Sequence, residues 1–82
     1  MTLPPGYIPV DDLFTRPRLS RLRRAGLLPA PEKIYGVRCF KAAVIKQFNR
    51  NWQIGLDRWI MIDHGRGRPA VAEIARLALE GR

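Results

Sequence analysis

The sequence predicts a small α+β domain, and three observations carry that prediction. Pro17–Ala25, Ala42–Asn51 and Ala70–Leu79 space their apolar residues three and four apart, as helices with one buried face do. Val37-Arg38-Cys39-Phe40 alternates as an edge strand does, behind a turn signal at Tyr35-Gly36. Glycine and proline then punctuate the chain between these segments.

Residues 1–6 carry Pro4-Pro5-Gly6 and read as a flexible N-terminal arm. Tyr7 to Phe14 reads as an extended segment leading into a very short helix. Pro9 or Val10 opens it, Asp11 and Asp12 suit its positive end, and Leu13 and Phe14 are buried. The next helix, Pro17–Ala25, lies within the densest charge of the chain. Five arginines (Arg16, Arg18, Arg21, Arg23 and Arg24) fall within nine residues, with no acid among them. Leu19, Leu22 and Ala25 form one apolar stripe. Pro17 suits the first helical position, and Gly26 stands where a left-handed helix end wants it. At about 100° per residue, Pro17, Ser20, Arg21 and Arg24 point away from the stripe, with Arg18 and Arg23 at its margins.

Leu27 to Lys33 is proline-rich and extended, and a small hairpin follows whose tip carries Lys33, Tyr35 and Arg38. Ala42 to Asn51 is a second helix. Val44, Ile45, Phe48 and Trp52 recur at three- and four-residue steps and join Leu19 and Leu22 as core, with Lys46 and Arg50 outside. Periodicity does not decide between strand and helix for Trp59-Ile60-Met61-Ile62. The last helix, Ala70–Leu79, is apolar around most of its circumference. Because 82 residues offer little core to hide it, Val71, Ile74 and Leu77 are expected to pack on a second subunit or partner, with docking on the chain's own core as the alternative. The expected organisation is an arm (1–6), a domain (7–52) and a C-terminal extension (53–82).

A hydrophobic content of 46% argues against wholesale disorder. The net charge of +8 favours a polyanionic partner. From Arg16 to Arg50 ten Lys or Arg stand against one acid, Glu32, so the basic region coincides with the best-patterned one. Cys39 is the single cysteine, which excludes an intrachain disulfide and reads as a small buried residue. No apolar run approaches the roughly 18 residues that a membrane span needs. A soluble protein of the cytoplasm, associated with the nucleoid, is expected. One Cys and one His (His64) make no zinc site. No nucleophile stands beside a base, and no Gly-rich phosphate loop follows a strand. The residues thus point to no enzyme, cofactor, metal or small-molecule substrate.

Helix, basic helix, hairpin, helix is the order of a winged helix-turn-helix module: a small fold with a two-stranded wing, continued here by a C-terminal helical tail. Tyr7 to about Phe48 resembles the excisionase and AlpA-type winged-helix family, small phage and mobile-element proteins related to the MerR-type DNA-binding fold. The matching residues are Thr15-Arg16, Leu19-Ser20-Arg21-Leu22 and Arg24-Ala25-Gly26-Leu27-Leu28-Pro29. The pattern Gly36-x-Arg38-x-Phe40 follows, and then Val44 and Phe48. One departure is that Leu13-Phe14 run almost straight into Thr15, so the first helix is cut to about one turn. The resemblance implies double-stranded DNA as partner, the arginine helix in the major groove, and the wing tip against the adjacent minor groove or backbone. It also implies a recombination directionality factor that binds cooperatively, self-associates, bends DNA and directs a tyrosine-recombinase integrase to excise. An AlpA- or MerR-like transcriptional regulator is the alternative on the same surface, and an RNA- or ribosome-associated basic protein is the alternative of a different class.

Within that reading, Ser20, Arg21 and Arg24 are candidates for base edges, since an arginine fork matches guanine O6 and N7. Arg16, Arg18 and Arg23 are candidates for phosphates, and Lys33, Tyr35 and Arg38 for wing contacts. Arg66-Gly67-Arg68-Pro69 resembles the core of an AT-hook, whose extended arginines lie along the narrow A·T minor groove. The alternative is a basic linker.

Overall fold

The computed structural model describes residues 2–63 and 67–80. These form an α+β unit of three α-helices, one 3₁₀ turn and a three-stranded antiparallel sheet. Strand β1 (Tyr7–Pro9) leads into the 3₁₀ turn (Val10–Asp12) and then α1 (Arg16–Arg24). Strands β2 (Glu32–Ile34) and β3 (Val37–Lys41) make a hairpin, followed by α2 (Ala42–Asp63) and α3 (Val71–Leu79).

The first segment is the one-turn element that the sequence predicts. Val10 is its buried residue, and its carbonyl accepts from the amides of both Leu13 and Phe14 at 2.9 Å. The β2–β3 hairpin is the expected pair of strands, and the extended stretch before the turn adds a third strand, in the order β1-β3-β2. Ile8 stands opposite Phe40, and Tyr7 opposite Lys41. A three-residue strand ending in proline shows no period of its own; only the free edge of β3 reveals it. Residues 4–7 close a turn in which the Tyr7 amide reaches the Pro4 carbonyl at 3.4 Å, with Gly6 at φ +86°. The Gly6 carbonyl accepts from the Ala42 amide at 2.7 Å, so this part of the arm is tied to the junction of β3 and α2.

Helix α1 is closed at both ends by local chemistry. Thr15 is extended, and its hydroxyl accepts from the Arg18 amide at 3.3 Å, with proline in the first turn. At the other end the Leu27 amide returns to the Leu22 carbonyl and the Gly26 amide to the Arg23 carbonyl, both at 3.0 Å. That paired return, with Leu22 and Leu27 both buried, is the Schellman arrangement. It requires the left-handed backbone of Gly26, at φ +85°. Gly26→Ala is therefore expected to cost about 1–2 kcal/mol, read as a lower midpoint in thermal denaturation; an unchanged midpoint would mean that the helix end relaxes without cost.

The larger core cluster joins Val10, Leu19, Leu22, Leu27, Leu28, Phe40, Ile45, Phe48 and Ala75, with Val44, Trp52 and Phe14 packed against it. Cys39 is free and fully buried. Helix α2 runs for 22 residues, so the expected end at Asn51 is corrected to Asp63, and position 52 lies inside a continuous helix. Trp59 is buried while Ile60, Met61 and Ile62 are exposed, which is what one face of a helix gives. Gly55, buried in mid-helix, lets α3 approach closely.

The expectation that Val71, Ile74 and Leu77 form a free association face is corrected as well. Ile74 and Leu77 are buried against Trp59 in a second cluster, with Trp52 and Leu56 beside them, and Val71 packs on the larger cluster. Two such side chains contribute about 1.5–3 kcal/mol each when buried, and the long α2 supplies the surface that the predicted short helix lacked. The Arg58 guanidinium donates to the carbonyls of Leu77 and Glu80 and so ties the end of α3 to α2. The C-terminal helix is part of the core, not a tail. No helix among the described residues is long and apolar enough to cross a membrane.

Candidate nucleic-acid interface

Burial of Leu19 and Leu22 decides which way α1 turns its other side chains. Arg16, Arg18, Ser20, Arg21, Arg23 and Arg24 are all exposed, as is Pro17. Around the helix they divide into three groups. Arg16, Ser20, Arg23 and Arg24 face the hairpin and, with Arg38 from β3, line an open cleft of about 720 Å³ floored by Leu19, Leu28 and Ala30. Arg21, again with Arg24, borders a recess of about 480 Å³ at the start of α3, beside Pro69, Ala70 and Val71. Arg18 turns to the remaining flank, where its guanidinium carbon lies 5.2 Å from the centroid of the Trp52 ring.

The hairpin supplies the second wall. Tyr35 at φ +51° and Gly36 at φ +76° form its two-residue turn, the left-handed pair that matches strand twist. Arg38 stands directly opposite Lys33 in the ladder, so both side chains share one face of the sheet. Phe40, two residues on from Arg38, shares that face and is buried in the larger cluster. The inner face of the hairpin is thus anchored by Phe40 and ends, toward the tip, in Arg38 and Lys33. Tyr35 is 61% exposed at the turn.

Arg21, Arg23 and Arg24 in the last turn of α1 suit the negative end of its dipole, but the arrangement opposes stability in two other places. Arg16 and Arg18 occupy the first turn of α1, where the helix dipole is positive and a cation forgoes roughly 0.3–1 kcal/mol that an acid would gain. Lys33 and Arg38 are like charges directly opposite across a strand pair, which is unfavourable. Among the described residues the one salt bridge is Arg76–Glu80, at 3.7 Å on α3, so no carboxylate neutralises the cleft. The field of at least four guanidinium groups is left facing solvent, which is the electrostatic condition for binding a polyanion.

Of the other residues singled out in the sequence, Arg68 is exposed just before α3, and Arg66 and His64 lie outside the described residues. The helical wheel already places Arg18 at a margin of the stripe, but its aromatic partner is not legible there, because Trp52 is 34 positions away in sequence. No group of three or more potential metal ligands occurs among the described residues. Comparison of the chain with protein families, with curated proteins and with solved structures finds none that matches.

Proposed function

We propose that the chain is a sequence-guided binder of double-stranded DNA with a winged helix-turn-helix mode of docking. In this reading α1 enters the major groove and the β2–β3 hairpin acts as the wing. One observation carries it: Arg16, Arg23 and Arg24 from α1 and Arg38 from the hairpin meet in one cleft with no acid to balance them. A charge cluster with no carboxylate in its lining, on a helix whose opposite face is buried, suits a phosphate-lined groove better than an idle solvated surface. Ser20, Arg21 and Arg24 form the crest that would reach base edges, and Arg16 and Arg23 flank it at the height of the backbone. Lys33, Tyr35 and Arg38 would meet the neighbouring minor groove or its phosphates.

Within that class, the order of motifs from Thr15 to Phe48 supports an excisionase-type role. The protein would bind repeated sites, bend the DNA and direct an integrase-class recombinase. A transcriptional regulator of AlpA type would use the same surface, and contact with recombinase or polymerase separates the two. An RNA-binding role wants stacking aromatics on an open face. Here Tyr7, Phe14, Phe40, Phe48, Trp52 and Trp59 are wholly or partly buried, and Tyr35 stands alone.

The test is a gel-shift titration against DNA from the gene's own neighbourhood, with random DNA as competitor. With six or so phosphate contacts, raising salt from about 50 to 200 mM should weaken binding on the order of 10³-fold. A discrete shift that survives competitor is expected. A smear abolished by competitor at either salt concentration would reduce the arginines to non-specific charge and sink the sequence-guided reading.

A further inference from the structure

Phe14, Phe48 and Trp52 form an aromatic ladder that ends at the arginine helix. Phe14 meets Phe48 edge-on at 5.5 Å between centroids, and Phe48 stacks on Trp52 at 6.1 Å. Arg18 then lies over the Trp52 ring. Trp52 also packs against both core clusters, so its ring is held in place by the centre of the fold. Arg18 is exposed, and it is the one arginine of α1 for which a side-chain partner is seen among the described residues.

We propose that Trp52 is a preorganising platform that holds Arg18 ready to bind a DNA phosphate, making Trp52 a working part of the interface as well as a core residue. The proposal rests on the DNA-binding reading above. A cation over a ring face is held by the ring's quadrupole, and that attraction uses none of the five guanidinium N–H donors. The donors remain free for a phosphate oxygen while the long side chain is already confined. An arginine without such support loses its rotamer freedom when it binds, which weakens association roughly two- to tenfold per immobilised side chain. Arg16, Arg21, Arg23 and Arg24 bear that loss at the moment of contact; Arg18 has met most of it on folding. The contact is to the sugar–phosphate backbone and not to a base, because Arg18 sits on the flank of α1 and not on its crest.

The full chain, titrated with random-sequence duplex DNA at several salt concentrations, tests this. Arg18→Met keeps an apolar stem for the ring and removes the charge and the donors. It should lower the slope of log affinity against log salt by about 0.9 while leaving the thermal midpoint nearly unchanged. Trp52→Phe keeps an aromatic core residue with a weaker cation site. It should weaken binding roughly two- to tenfold with the slope unchanged, and adding it to Arg18→Met should weaken binding no further. Because Arg18→Met alters only an exposed side chain, the slope test stands even where Trp52→Phe fails to fold. A wild-type slope in Arg18→Met, or simple additivity of the two substitutions, overturns the proposal and makes the stack a scaffold contact alone. A wild-type protein whose DNA binding does not respond to salt would overturn the DNA-binding reading itself, and this proposal with it.

Discussion

Gly55→Ala lowers the thermal midpoint of the protein by about 5–10 °C, although alanine is the better helix former. The position lies in the middle of α2 with its backbone against α3. A Cβ there would run into the Ile74 carbonyl oxygen, and would stand 2.8 Å from Ile74 Cγ2 and 3.1 Å from Ala78 Cβ. The obstacle is partly backbone, so no side-chain rotation relieves it, and α3 must move away from α2. Overpacking of this kind costs about 1–3 kcal/mol, and the loss of glycine's helix penalty returns up to about 1 kcal/mol. At the middle of that range the remainder is about 1 kcal/mol or a little more, which for a chain of this size corresponds to that fall in midpoint at roughly 4–8 °C per kcal/mol. Thermal denaturation followed by circular dichroism reads it directly. A midpoint that rises, as helix propensity alone would have it, would mean that the close approach of α2 and α3 does not occur in solution.

Arg24→Ala is expected to have the largest effect of any single arginine on specific binding. Arg24 is the residue that borders both the cleft toward the hairpin and the recess toward α3, at the crest of α1. Under the proposed docking its guanidinium meets a base pair, and a bidentate contact to guanine contributes about 1–3 kcal/mol of discrimination. Affinity for the preferred site should therefore fall about ten- to hundredfold, specificity should relax at one base position, and binding to random DNA should change much less. Parallel titrations of the preferred and random duplexes measure the ratio. Equal weakening on both would assign Arg24 to the backbone and leave Arg21 or Ser20 to read bases. The substitution is on the surface, so stability should stay within about 0.5 kcal/mol of the parent.

Much of the local structure was legible in the chain because its causes are local. The bounds of α1 follow from Pro17 and Gly26, and the hairpin turn from Tyr35-Gly36, each within a few residues of the feature it controls. The core positions Leu19, Leu22, Ile45 and Phe48 follow from spacing alone. Leu27 and Leu28 gave no periodic signal, since they lie in an irregular segment, yet both are buried. The length of α2 was hidden for a related reason. Beyond Asn51 its buried face is interrupted by Gly55, and its apolar run at Trp59 to Ile62 fits two periods equally well.

The amino-acid order by itself determined the α+β class, the arginine helix with its apolar underside, and the excess of positive charge. Each of these depends on composition or on contacts one helical turn apart. Only the tertiary structure decided where the apolar face of α3 is buried, that Tyr7–Pro9 completes the sheet, and that Arg18 leaves its neighbours for Trp52. An apolar stripe states that a face must be covered but carries no address for what covers it. That address depends on the shape of a surface far away in sequence, here the groove at Gly55 and the free edge of β3.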